Sequence, residues 1–449
     1  MRDTPPQFSL ADALTDPDRL ARAGRLLPGV RVLDSSHYPW RKLRHVANEQ
    51  SLNPEDAWLA AKLSRLGSRQ WLGLGRQGGE EFSFCASPCL FEALHRADRA
   101  LGGGGPASLE SDRGLLSDPE HRTRLRIRTL MDEAAESSLI EGAATTRKDA
   151  VELLRSRRDP TTKGERMVVN NFIAMQHIKS HLKDPLSVDM LLELQGILTD
   201  GTMDPPGGAR RLRRPEEPVC VENETTGEVI FTPPSAVGLE HRLRAICDFA
   251  NREHKGQEFI HPIVKASILH FMIGYEHPFV DGNGRTARAV FYWFALRSGY
   301  TIFEYIPISE RIRAGRARYP QAYLDSEQDD GDLTYFILYK LDIIGQALDA
   351  LARMLDHEEQ KIKHSQRLLK VSKSLNLRQR LLLEHSLRHP TNRYTVKSHS
   401  NSTGITPVTA RTDLDALVRL RLMTTSKRGR EVIYHPSPSL LARLRRKGL

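Results

Sequence analysis

Apolar residues along the chain recur mostly at the three- and four-residue spacing of helices, with little of the alternation that marks strands. The run NPEDAWLAAKLSRL predicts a helix capped by Asn53, with Pro54 at its first position and Trp58, Leu59, Ala61, Leu63 and Leu66 as its apolar surface. A glycine run, Gly102 to Gly105, breaks the pattern and marks a flexible connection. A second helix is expected from Asp118 and Pro119 to Gly142, dense in Leu125, Ile127, Leu130, Met131, Ala134, Ala135 and Leu139. A third follows the cap signal Thr145-Thr146 and ends at Arg157 to Pro160, and two more cover Met167 to Leu182 and Ser187 to Asp200. Residues 1 to about 50 show no sustained period and receive no assignment.

The character changes between Thr202 and Pro234, where glycine and proline crowd in. Two short β-prone runs, Val219 to Glu222 and Val229 to Phe231, flank the turn-like Asn223 to Gly227 and read as a hairpin on a helical body. Helix returns over Glu240 to Arg252. His261 to Glu276 is apolar on nearly every side, as a central buried helix must be. Arg285 to Ser298 is the next helix, stopped by Gly299, followed by Ile308 to Leu324 and Leu333 to Lys361 on either side of the acidic turn Glu327 to Asp332. In the tail, helices are expected over Arg378 to Arg388, Thr395 to Ser402 and from Pro407, the last with Leu414, Leu417 and Val418 inward. A hairpin, Thr424 to Ser426 with Val432 to His435, follows.

Length and charge divide this pattern. At 449 residues the chain is too long for one ordinary core, so two or three domains are expected. The net charge is +10, but Gln360 to Leu449 alone holds 20 Lys+Arg against 4 Asp+Glu, which leaves the rest mildly acidic. A basic module attached to an acidic body points to a polyanion as the partner of the tail. Three helices and a basic hairpin are the plan of a winged helix-turn-helix. Its third helix would offer Thr409, Arg411 and Thr412 to DNA bases, and its wing Lys427, Arg428 and Arg430 to phosphates. No apolar run approaches the roughly 20 residues of a membrane span, and the N-terminus lacks a signal pattern, so a cytoplasmic protein is expected. Cys85, Cys89, Cys220 and Cys247 form no disulfide framework, and the close pair Cys85 and Cys89 reads as small buried thiols.

The candidate chemistry is concentrated in twelve residues, His277 to Arg288, which read HPFVDGNGRTAR. Gly282, Asn283 and Gly284 lie where one helix gives way to the next, so backbone N–H groups can turn toward an anion at a helix N-terminus. Arg285 offers a planar fork to phosphoryl oxygens, and Asp281 a carboxylate to one Mg²⁺. His277, neutral in large part near pH 7, can take a proton from an attacking hydroxyl. A nucleotide with magnesium is the economical ligand. Arg288 lies one helical turn beyond Arg285 and can pair with a carboxylate, for which Glu141, at the unfavourable end of a helix for its charge, is a candidate.

HPFVDGNGRTAR resembles the signature of the Fic family, H-P-F-x-D/E-G-N-G-R-x-x-R, and matches every specified position; Ala287 stands where many members have glycine. The preceding buried helix, the hairpin ending in FTPP and the DLTYFILYKL helix are also similar, so that the likeness runs from about Pro54 to Ala350. It implies a mainly α fold, a helical core with a small β-hairpin flap, joined here to the C-terminal winged helix-turn-helix domain. The expected domains are 1–105, a helical region; 106–160, an inhibitory helix and the helix after it; 161–360, the catalytic core and linker helix; and 361–449, the winged helix. The implied activity is transfer of AMP from ATP to a hydroxyl of a target protein, this chain itself included, with His277 as base and Mg²⁺ on Asp281. The nucleotide would meet Gly282, Asn283, Gly284, Arg285 and Arg288, and the target would lie along Val229, Ile230, Phe231 and Thr232 as an added strand. Ser137 to Gly142, SSLIEG, resembles the family's inhibitory motif, which assigns Ser137, Glu141 and Gly142 to a latch on Arg288. Homodimers are common in the family and are a further expectation. Two other readings stand beside it: a DNA-binding regulator whose body senses a nucleotide, and an enzyme that removes AMP with the same loop.

Overall fold

The first fifty residues carry no readable period, yet they are helical. The computed structural model describes residues 5–6, 15–101, 119–203, 207–222, 227, 229–371, 375–428 and 431–446. In it α1 (Pro17–Leu26) and α2 (Trp40–Glu49) set Ala23, Leu43 and Ala47 against α3 (Pro54–Arg65). Helices of ten residues turn only one or two side chains fully inward here, too few to register as a period. Asn53 caps α3 as expected, its Oδ1 accepting from the backbone N–H of Glu55 and Asp56 at 2.9 and 3.1 Å. An antiparallel hairpin that the sequence pattern did not suggest follows: β1 (Arg69–Gly75) pairs with β2 (Glu81–Cys85), Arg69 opposite Cys85. Then comes α4 (Pro88–Leu101).

Five helices and a second hairpin lead to the centre. α5 (Pro119–Ile140) is followed by α6 (Arg147–Ser156), which Thr146 caps, and by α7 (Lys163–Ser180) and α8 (Val188–Thr199), which Thr162 and Ser187 cap. α7 starts four residues before the expected Met167, because Thr162 Oγ1 accepts from the N–H of Glu165 and opens the helix there. β3 (Val221–Glu222) pairs antiparallel with β4 (Val229–Phe231), as the two β-prone runs predicted, the first strand starting two residues later than the expected Val219. After α9 (Leu239–Asn251), α10 (Pro262–Glu276) and α11 (Asn283–Arg297) pack on each other and are buried almost throughout. α11 begins at Asn283 rather than Arg285, so the glycine pair of the motif straddles its first turn.

The helix expected over Ile308 to Leu324 is two, α12 (Ile308–Ala314) and α13 (Arg318–Gln328). Gly315 leaves helical angles and its N–H closes onto the carbonyls of Arg311 and Ile312, which ends the first. α14 (Thr334–Val371) runs ten residues past the expected Lys361. The chain divides into two units, Met1–Leu351 and Ala352–Leu449. The second holds α15 (Leu377–Arg388), α16 (Val396–Thr403), α17 (Pro407–Arg419), the ribbon β5 (Met423–Arg428) with β6 (Glu431–Pro436), and α18 (Leu440–Arg446). Leu383, Leu414, Leu417, Leu422 and Leu444 are its core, and Tyr394 bridges to Tyr434 of the ribbon. Among the described residues no helix is long and apolar enough to cross a membrane. Gly102 to Gly105, Asp118, the turn residues 223–226 and Arg430 lie outside the described residues.

One buried arginine joins the ends of the larger unit. Arg65, the last residue of α3 and 4% exposed, donates to both oxygens of Asp34 (2.8 and 2.9 Å), to Tyr38 O (3.0 Å), to Asp329 (3.1 Å) and to the Tyr335 hydroxyl (2.7 Å). Beside it His37 Nε2 meets Asp332 Oδ2 at 2.8 Å, and the Cys85 thiol donates to the same oxygen at 3.5 Å. Removing one member of such a network leaves the remaining charges buried and unpaired. Arg65→Ala is therefore expected to lower unfolding free energy by about 3–5 kcal/mol, read as a lower urea midpoint with an unchanged m-value.

Candidate active site

The loop 277–282 must reverse the chain between two buried helices, and each of its polar groups is tied to a different element. His277 caps α10 in the left-handed region (φ 45°, ψ 58°), which ends the helix without a glycine. Its N–H donates to Ile273 O, and its Nδ1 lies 3.1 Å from Gly274 O. A carbonyl can only accept, so Nδ1 carries the proton and Nε2 keeps its lone pair. Burial pulls the imidazole below its ordinary titration range; the Gly274 carbonyl and the Glu141 carboxylate pull the other way without overcoming it. The neutral ring is the resting form.

Asn283 spends its amide inside the loop, with Oδ1 accepting from Phe279 N (2.9 Å) and Nδ2 donating to Phe279 O (2.8 Å). The side chain is thus occupied, and what residue 283 has left for an anion is its position in the first turn of α11. Phe279 itself is fully buried and anchors the loop. Asp281 Oδ1 accepts from Gly282 N (2.6 Å) and from Arg285 Nη2 (3.0 Å), while its side chain stays 43% exposed and its second oxygen has no partner among the described residues. Arg285, only 1% exposed, also donates to Leu198 O at 2.8 Å, and its Nε has no partner among the described residues. Gly282, at φ 88°, is in the region that glycine alone enters without strain.

Arg288 is the second buried arginine, and three of its bonds reach one segment. Nε donates to Ser137 Oγ (2.8 Å), and Nη2 to Ser137 O (2.9 Å) and Glu141 Oε1 (3.0 Å); Nη1 is buried without a partner among the described residues. Ser137 lies within α5, and Glu141 and Gly142 (φ 79°) follow its end. The Glu141 carboxylate lies against the first turn of α11, so close that a β-carbon at Gly284 would overlap Oε1. A carboxylate therefore sits at the helix end where an anion is favoured.

Two pinning residues carried no mark in the sequence as part of this site. Arg213, 7% exposed, donates from Nε to His277 O (2.8 Å), from Nη2 to Glu276 O (3.2 Å) and to Pro234 O, and from its backbone N–H to Pro278 O (2.9 Å). It binds the base of the β3–β4 hairpin to the loop, yet it stands in the run Arg210 to Arg214, which reads as solvated surface. Gln195 Nε2 donates to Asp281 O at 3.2 Å while Oε1 accepts from Arg210 N at 2.7 Å. A lone amide in the apolar run Leu191 to Leu198 was the available signal.

On the hairpin Val229 is 42% exposed, Thr232 is exposed, Ile230 is half-buried, and the Phe231 ring lies 5.6 Å from that of Tyr275 on α10. In the second unit Arg411, Thr412 and Lys427 are exposed and Arg428 ends β5. Thr409 is half-buried; its Oγ1 lies 3.0 Å from Thr406 Oγ1, and Thr412 Oγ1 donates to Val408 O. Cys85 and Cys247 are buried, Cys89 is half-buried and Cys220 is exposed.

Residues 185–295 match the Fic/DOC family, a stretch that contains α8 through most of α11. A protein adenylyltransferase Fic of Nematostella vectensis is 32% identical over 118 residues, 26% of this chain and 25% of that one. Another of the same name, from Drosophila virilis, is 27% identical over 283 residues, 60% of this chain and 54% of that one. The chain thus spans about half or less of the length of these curated relatives. A Fic family protein from Desulfovibrio desulfuricans G20 has the same fold over 79% of this chain and 98% of its own, with a TM-score of 0.53 at 18% identity. Fic-1 of Caenorhabditis elegans, residues 134–508, gives 0.50 at 19% over 78% of this chain and 98% of its own. The twelve-residue loop between two buried helices lies inside the stretch that matches the Fic/DOC family.

Proposed function

We propose that this protein is an adenylyltransferase that moves AMP from ATP to a hydroxyl of a protein, and that Glu141 holds it off in the resting state. The observation that carries the reading is the pair His277 and α11. A neutral imidazole with its Nε2 lone pair uncommitted stands at the start of the loop, and the N-terminus of α11, with Arg285 and Arg288 buried behind it, stands at its end. The target hydroxyl would give its proton to Nε2 as its oxygen attacks the α-phosphorus. The bond from that phosphorus to the bridging oxygen then breaks, and pyrophosphate leaves. The first turn of α11 and Arg285 would hold the phosphates. Asp281 is exposed, with one oxygen uncommitted, which fits a carboxylate ligand of Mg²⁺. When bound, that ion would neutralise phosphate charge. β4 would present Val229 to Thr232 to an extended target segment.

Glu141 occupies the region such a nucleotide needs. Its carboxylate pairs with Arg288 and fills the space above Gly284, as an internal anion would. Glu141→Gly is expected to raise incorporation of labelled AMP into the protein itself by roughly 5–150-fold, the usual span of coupling between sites, and His277→Ala in that background to lower it by roughly 10²–10⁴-fold. An unaltered level after Glu141→Gly would remove the latch from the reading.

The pH dependence follows from His277. A base must be unprotonated to act, and burial lowers its pKa from the ordinary value near 6.5. The acid limb of the rate profile should therefore lie below that value, with the rate level from pH 8 down past 6.5. An acid limb centred above about 6.5 would mean a different base.

A second reading concerns the tail, and the exposed face of α17 favours it. Val408 is 77% exposed at the start of that helix, with Arg411 and Thr412 exposed one turn on, beside a ribbon carrying Lys427. This face suits the major groove of DNA, with Val408 on thymine methyls and Arg411 on a guanine. In salt-titrated gel shifts on the gene's upstream DNA, Arg411→Ala should weaken preferred binding by about 1–3 kcal/mol and leave binding to unrelated DNA nearly unchanged.

A further inference from the structure

Away from the motif, a cleft of about 310 Å³ opens between the N-terminus of α7 and the loop after α8, lined by Thr161, Thr162, Lys163, Arg166, Thr202 and their neighbours. Two cations face it without acidic partners. Neither Lys163 nor Arg166 makes an ion pair or side-chain hydrogen bond among the described residues, whereas Arg158 and Glu165 on the same stretch pair with each other. Glu165 is fully committed: besides Arg158, it accepts from Thr161 N and Thr161 Oγ1 at 2.8 and 2.9 Å. The Arg158 hydrogen bond holds its carboxyl down at about 2, so it stays ionised and bound to these partners.

The cleft is built rather than incidental. Gly201, at φ +59°, lets the loop approach so closely that a β-carbon there would meet Arg166 Cδ at 2.9 Å; packing, not a counter-charge, holds that guanidinium. Thr202 is 3% exposed, and its hydroxyl, on the lining of the cleft, is buried with no hydrogen-bond partner among the described residues. α7 is 18 residues long and turns its positive end into the same space. Two unpaired cations, an orphaned hydroxyl and a helix N-terminus describe a site for a tetrahedral oxyanion.

We propose that this cleft binds a phosphoryl group, separately from the anion site of the motif. The two lie near each other in space, since Thr199 lies against Gly282, and Met203 and Val280 both lie beside Gly208. The ligand chemistry is that of inorganic phosphate or of a nucleoside 5′-monophosphate, and titration separates these sources.

Full-length protein is titrated calorimetrically with orthophosphate and, in a second arm, with AMP; wild type is compared with the double variant Lys163→Gln/Arg166→Gln and with Thr202→Val. The double variant should bind orthophosphate at least roughly tenfold more weakly, because two charge-assisted hydrogen bonds are lost. Thr202→Val should lose several-fold with an unchanged melting temperature, and Arg285→Gln should keep the phosphate site. A loss seen equally for both ligands assigns the site to free phosphate, and a larger loss for AMP assigns it to the nucleotide. Wild type that takes up neither ligand at millimolar concentration overturns the proposal, as does a folded double variant that binds both as wild type does.

Discussion

A reversal of six residues between two helices with no exposed side is the constraint from which the centre of this molecule follows. Such a turn exposes backbone N–H and C=O groups in a region where water cannot reach them all, so the surrounding elements have to supply partners. They do so one by one. Phe279 is closed by Asn283, Asp281 O by Gln195, and the carbonyls of Glu276, His277 and Pro278 by Arg213. α8, the β3–β4 hairpin and the segment around Arg213 stand where they do because the loop has to be satisfied. The same bonds fix the start of α11, against which the Glu141 carboxylate lies.

Arg288 extends that constraint to α5. It is fully buried and would be costly alone, and Ser137 and Glu141 meet it from a helix more than a hundred residues earlier in the chain. Pairing across such a sequence distance gives the contact its regulatory sense in the proposed function, since moving the end of α5 uncovers the space above Gly284 without unmaking the loop. The Nη1 of Arg288, unpaired among the described residues, lies beside the same position at Gly284. The cleft beside Arg166 differs in kind: there packing against Gly201 holds the guanidinium, and no acidic side chain among the described residues pairs with it.

Much of this was readable from residues alone, and the parts that were not share a cause. The sequence by itself determined where long helices run, where proline and capping residues begin them, and that the catalytic candidates gather in one loop, because periodicity, caps and short motifs are local properties of a chain. Helix α5, the caps Asn53 and Thr146, and the hairpin at Val229 follow from it. The first helices and the β1–β2 hairpin escaped because elements of five to ten residues turn too few side chains inward to show a pattern. Only tertiary structure decided that Arg213 is buried while its neighbours are not, that Asn283 spends its amide on Phe279, and that Glu141 lands on Gly284. Each depends on which surfaces meet, and burial and pairing over long separations in the chain have no local signature in composition or period.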